Sequence, residues 1–148
     1  MLGADVVALL DGTDLEAAVG LALELITVDA DGWPRVALLS VGEVVAVGDR
    51  ALALALWPGS RTTANLERSG GALLALVAGG AAHRVALEAR RATDVLVRGE
   101  PRAVFHATVL SAARDEVPYA RLQSGITYEL AEPTETLGRW RATVAALR

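Results

Sequence analysis

The fold turns on the stretch Ala51-Leu52-Ala53-Leu54-Ala55-Leu56-Trp57-Pro58-Gly59-Ser60-Arg61-Thr62-Thr63-Ala64-Asn65-Leu66. Its first half alternates alanine and leucine without a fault, the period-two pattern of a strand. Leu52, Leu54 and Leu56 share one face and belong in a core, while Ala51, Ala53, Ala55 and Trp57 share the other. A face built of alanine leaves room for something to lie flat on it, either a second sheet or a planar ligand. Pro58-Gly59 is a turn signal. Ser60 suits the N-cap of a short helix ending at Gly70-Gly71, because its hydroxyl can accept from the free N–H groups of the first turn. Those N–H groups and the helix dipole favour an anion. Arg61 adds a positive charge at the same end, and Thr62 and Thr63 add hydroxyls, so the turn presents donors suited to a phosphate. The same residues also suit a capped connector helix whose hydroxyls meet only water.

Composition narrows the field. The 148 residues fit one domain, 1–148, and 53% of them are hydrophobic, enough for a sizeable core. No apolar run approaches the roughly 20 residues of a membrane span. The first basic residue is Arg35, so no charged region precedes an apolar one as in a secretory signal, and a cytoplasmic location is expected. There is no cysteine, which excludes disulfides, thiolate catalysis and Cys-based metal sites. There is no lysine either, which excludes Schiff-base chemistry and a complete Walker-type phosphate loop. With net charge −4, few aromatics and no basic run, nucleic acid is not an expected partner.

Outward from the opening stretch, residues 3–10 read as a short helix. Thr13 and Glu16 stand in capping-box spacing and predict a second one through Val19. Leu23 to Val28 is strand-like, and Asp29 to Gly32 is a turn. Pro34 starts a strand to Val41, Gly42-Glu43 reads as a two-residue hairpin turn, and Val44 to Val47 returns. Beyond the helix come Ala72 to Ala78, a long strand from about His83 to Thr93, another from Ala103 to Ala113, and a last one from Gly125 to Leu130. Pro133 suits the first position of a closing helix, whose stripe is Leu137, Trp140, Val144 and Leu147. Short strands, tight turns and few helices predict a mainly β protein, an antiparallel barrel with small helices and a C-terminal helix packed on it.

Three segments then resemble the pyridoxamine 5′-phosphate oxidase-like, FMN-binding split β-barrel family. Ile26 to Ala37 resembles its opening hairpin, Ala53 to Leu66 its phosphate-binding turn and helix with the Asn65-Leu66 pair, and Ser69 to Val77 the following strand. The resemblance implies a homodimer with FMN in clefts at the subunit interface and the flavin phosphate at Ser60, Arg61, Thr62 and Thr63, beside Asn65. It also implies flavin contacts at Ser40, with Trp57 flanking the ring or closing the cleft. Many members carry an Arg-Lys pair after the serine and an Arg before the Asn; here those positions read Arg61-Thr62 and Ala64. A deazaflavin, a haem or an empty site are therefore alternatives to FMN.

The expected function is that of a flavin-dependent oxidoreductase with a small-molecule substrate; the alternative is a non-catalytic dimeric binding protein for a flavin, deazaflavin or haem. No catalytic side chain stands out. Arg61, or Arg84 or Arg90 from the other subunit, could supply positive charge to a reduced flavin. His83 and His106 lack second ligands at metal spacing, so no metal site is expected. Trp33 reads as hairpin packing and Trp140 as the anchor of the last helix.

Overall fold

The computed structural model describes residues 1–148. Its elements are α1 (Ala4–Leu10), β1 (Leu23–Val28), β2 (Pro34–Leu39), β3 (Val44–Ala46), β4 (Ala51–Leu56), α2 (Arg61–Ser69), β5 (Gly71–Ala78), β6 (Ala81–Arg91), β7 (Val95–Val97), β8 (Glu100–Asp115) and α3 (Pro133–Leu147). Neighbouring strands follow the order β2-β1-β5-β6-β8-β4-β3, all antiparallel, with β7 hairpinned on β8. The sheet curls around one core but β2 and β3, its two ends, do not pair with each other. This is the split antiparallel barrel expected from the sequence, with α3 laid on it.

The alternation in β4 places Leu54 opposite Phe105 of β8, and both are fully buried. Ala53 and Ala55 are equally buried, so close packing occupies the alanine face and no planar ligand can lie there. Leu25, Leu74 and Leu87 continue the interior across β1, β5 and β6. The outer face of the other half of the sheet is different. Val36, Ile26, Leu73 and Ala86 face one another in register across β2, β1, β5 and β6. Val36 is 52% exposed and Leu38, on the same strand face, 57%. Ile26, Leu73 and Ala86 are half-buried, so the strip is open at its β2 end.

Four sequence expectations do not hold in the structure. No helix forms over Thr13–Val19, because the Asp11 carboxylate takes both the Thr13 N–H and hydroxyl and the Asp14 carboxylate takes the Ala17 N–H, which keeps the segment in turns. Gly42-Glu43 is not a hairpin turn, since β2 and β3 lie at opposite ends of the sheet. It is a corner, closed by Ser40 N–H and Oγ donating to Glu43 Oε2 at 2.7 and 2.8 Å. Residues 125–130 form no strand; only a single bridge pairs Leu21 with Thr127. Trp33, expected to pack in its hairpin, is 74% exposed.

Helix α2 is tied to the β1–β2 hairpin by one buried amide. Asn65 Nδ2 donates to Thr27 Oγ1 at 3.0 Å and to Asp29 Oδ1 at 2.8 Å. Its Oδ1 accepts from the Arg68 guanidinium at 3.1 Å. Asp29 also accepts from Arg35 Nε at 3.1 Å and faces Arg61 at 3.5 Å. The Asn65 hydrogen bond, then Arg35 and Arg61, hold the Asp29 carboxyl below the ordinary range against the opposing effect of desolvation.

Two tests follow from these contacts. A Cβ on Gly42 would sit 2.1 Å from Trp140 Cγ, and overpacking of this kind typically costs about 1–3 kcal/mol. Gly42→Ala should therefore lower the urea midpoint; an unchanged midpoint would mean that α3 does not bear on this corner. Asp29 has a depressed folded-state pKa, so its stabilisation is present above its ordinary value of 3.8 and is lost as pH falls through the folded value. Asp29→Asn should melt lower than the parent at neutral pH, and the gap should close in acid; a gap independent of pH would refute the ionic reading.

Candidate functional site

The turn before α2 closes on itself. Ser60 is extended, with φ −76° and ψ 153°, and its Oγ accepts the Thr63 N–H at 3.1 Å. The Ser60 hydroxyl donates to Thr63 Oγ1 at 3.0 Å, and Thr63 Oγ1 donates to the Trp57 carbonyl at 2.7 Å. The Ala64 N–H reaches the Ser60 carbonyl at 3.1 Å. Two donors of the first turn, the N–H groups of Arg61 and Thr62, keep no protein acceptor. At the other end Gly70 adopts φ 71° and donates to the Leu66 carbonyl, a left-handed cap that glycine takes without a Cβ penalty.

The predicted phosphate residues thus divide into two groups. Thr62, Thr63 and Asn65 are buried, and the Thr63 and Asn65 side chains spend their polar groups inside the chain. Ser60 caps the helix. Arg61 is the exposed member, with its side chain 63% accessible and only the 3.5 Å approach to Asp29 holding it. What an anion meets at this turn is therefore two backbone N–H groups and one exposed guanidinium. Arg84 and Arg90, the alternatives for positive charge, pair with Asp115 and Glu88.

Ser40 and Trp57 come together elsewhere, in a cleft of about 400 Å³ between the end of the barrel and α3. The Ser40–Glu43 corner supplies one wall. Trp57, leaving β4, supplies another, and Trp140 of α3 is buried at 4% exposure. Arg102 of β8 lies over the Trp57 ring, 3.8 Å from its centroid, a cation–π contact. Its side chain is only 7% accessible, yet its bonds are few: one to the Pro101 carbonyl at 3.0 Å and one to Glu100 at 3.3 Å. Tyr128 also lines the cleft, and its buried hydroxyl has no hydrogen-bond partner. Burial, then the nearby Glu43 carboxylate, push the Tyr128 phenol up, so it stays a neutral donor. Arg139 of α3 stands exposed in the lining without an ion pair.

Glu43, Arg102, Tyr128 and Arg139 stand in no sequence motif that marks a site. The available signal was slight: Arg102 falls in an otherwise apolar strand run, Arg102-Ala103-Val104-Phe105, where an arginine needs a reason. His83, by contrast, is a buried tie, with Nε2 3.1 Å from the Ala78 carbonyl and 3.2 Å from Asp5 Oδ2. No cluster of three or more His, Cys, Asp or Glu side chains is placed to hold a metal ion. No helix is long and apolar enough to cross a membrane.

No family-wide sequence profile matches the chain. It is 36% identical over 140 residues to the uncharacterized protein YclD of Bacillus subtilis (strain 168), covering 95% of this chain and 91% of YclD. Among solved structures it resembles HupZ of Group A Streptococcus, with TM-score 0.60 and 20% identity over 87% of this chain and 100% of HupZ. It also resembles a candidate pyridoxamine 5′-phosphate oxidase from Lactobacillus delbrueckii, with TM-score 0.55 and 19% identity over 68% of this chain and 88% of that one. An FMN-binding protein from Syntrophomonas wolfei matches with TM-score 0.50 and 19% identity over 76% of this chain and 89% of that one. At these identities the structural likeness establishes the fold alone. The chain therefore belongs to the family of YclD, and its fold is the pyridoxamine 5′-phosphate oxidase-like split β-barrel.

Proposed function

We propose that this protein binds a flavin-type cofactor, FMN, and works as a homodimeric oxidoreductase on a small molecule. The observation that carries the reading is the start of α2. The N–H groups of Arg61 and Thr62 and the exposed Arg61 guanidinium, held only at 3.5 Å by Asp29, form a donor set that fits a phosphate, at the helix end where the dipole favours one. The similar FMN-binding and oxidase-type folds support the same assignment. When bound, the flavin supplies the electron and hydride chemistry. The chain's own part is to grip and to orient. Ser60 fixes the turn, Arg61 neutralises the phosphate, Trp57 offers a half-exposed aromatic face, and Ser40 presents the corner of the adjoining cleft.

A second copy of the chain is proposed to cover the apolar strip of Val36, Ile26, Leu73 and Leu38. Exposed strips of this kind mark interaction surfaces. The cofactor would then lie at the subunit interface. A second reading, a non-catalytic dimer that holds a flavin, deazaflavin or haem, is favoured by one observation: the turn keeps a single exposed cation, and Asp29 competes for it.

A charge-assisted hydrogen bond contributes about 1.5–3 kcal/mol, so Arg61→Ala should weaken FMN binding about tenfold or more, by fluorescence titration. Its melting temperature should barely move. Ser60→Ala is the less clean variant, because loss of the cap alone costs about 1 kcal/mol. Failure of the unaltered protein to bind FMN would overturn the assignment. FMN bound tightly but not reduced by NADH or NADPH would leave the non-catalytic reading. Light scattering should give twice the chain mass, and Leu38→Asp should halve it; a monomeric parent would overturn the dimer.

A further inference from the structure

The cleft under α3 carries more positive charge than its own carboxylates use. Arg102 presents five N–H bonds and spends two of them, on the Pro101 carbonyl and on Glu100. Glu100 meets the guanidinium directly at 3.3 Å, but its side chain is 62% accessible, so solvent screens much of the charge it offers. Arg139 adds an unpaired charge at the mouth. The Tyr128 hydroxyl has no partner although it is buried. The one carboxylate in the lining, Glu43, already accepts from Ser40 N–H and Oγ. Around these groups stand the apolar side chains of Trp57, Leu38, Leu130 and Trp140. A buried cation with donors to spare beside an aromatic face has one natural complement, an anionic group on a flat apolar body.

We propose that the Arg102–Arg139 cleft binds a small organic acid, its carboxylate held by the two guanidinium groups and its unsaturated body against Trp57. Its role as the substrate pocket rests on the flavin reading; its capacity to hold the acid does not. The cleft is separate from the α2 turn in its donors, since none of Ser60, Arg61 and Thr62 lines it.

Benzoate and benzamide have nearly the same shape and differ in charge, so they separate an anion site from a merely apolar slot. Titration of the purified protein, followed by tryptophan fluorescence, should show saturable binding of benzoate at least about tenfold tighter than benzamide, a difference of about 1.4 kcal/mol. Arg139→Gln, at an exposed position, should erase most of that preference without lowering the melting temperature. Arg61→Ala should leave it intact. Equal binding of the two probes, or loss of benzoate binding in Arg61→Ala but not in Arg139→Gln, would overturn the proposal. Arg102→Gln is the stronger variant, but Arg139→Gln decides the matter even where Arg102→Gln does not fold. FMN binding without a benzoate preference would sink this inference alone. Benzoate preference without FMN binding would sink the flavin assignment and leave the acid site standing.

Discussion

The Asn65 carboxamide is the joint on which the arrangement depends. It is 1% exposed, and each of its polar atoms is used: the amide N–H bonds go to Thr27 and Asp29, and the carbonyl takes Arg68. A buried amide left unsatisfied costs more than the hydrogen bonds that satisfy it contribute, so the network fixes one orientation of α2 against β1. That orientation sets where the first turn of the helix points. It also brings Asp29 alongside Arg61, so the same joint that aims the donors engages the one exposed cation of the turn.

The sheet shows a second economy. Strand β4 is buried on both faces with leucine on one and alanine on the other, which lets a curled sheet close tightly on a small core. The opposite half of the barrel leaves its outer face apolar and open. One chain therefore finishes only part of its own packing.

Local chemistry was legible in the sequence and long-range chemistry was not. The alternation of Ala51–Leu56, the Pro58-Gly59 turn, the Ser60 cap, the Gly70 stop and the Pro133 start all express preferences settled within a few residues, and each appears where expected. Gly42-Glu43 misleads because a two-residue turn between apolar runs looks the same whether or not its strands pair; only the sheet order distinguishes a corner from a hairpin. The capping box at Thr13 fails because Asp11 and Asp14 offer the backbone a nearer acceptor. In the site, Ser60 and Arg61 could be found from cap and charge logic. The inward turn of Thr63 and Asn65 could not, since their partners, Trp57, Thr27 and Asp29, are chosen by the fold. Arg102 and Tyr128 carry no motif at all and become visible only when β8, the 128 segment and α3 converge.

Helix α3 joins the barrel through side chains and not through the strand ladder. Trp140 sits on Gly42, Val144 on Gly12, Arg98 pairs with Glu135, and Arg141 and Arg148 reach back to Glu16 and the Asp11 carbonyl. Apart from Arg98–Glu135, these contacts join residues about a hundred or more positions apart. By the same token they can release together while every ladder hydrogen bond stays intact. Such an opening would uncover Trp140, Val144 and Leu147 of the core and take one wall off the Trp57 cleft. Amide protons of α3 should then exchange sooner than those of β4 and β8.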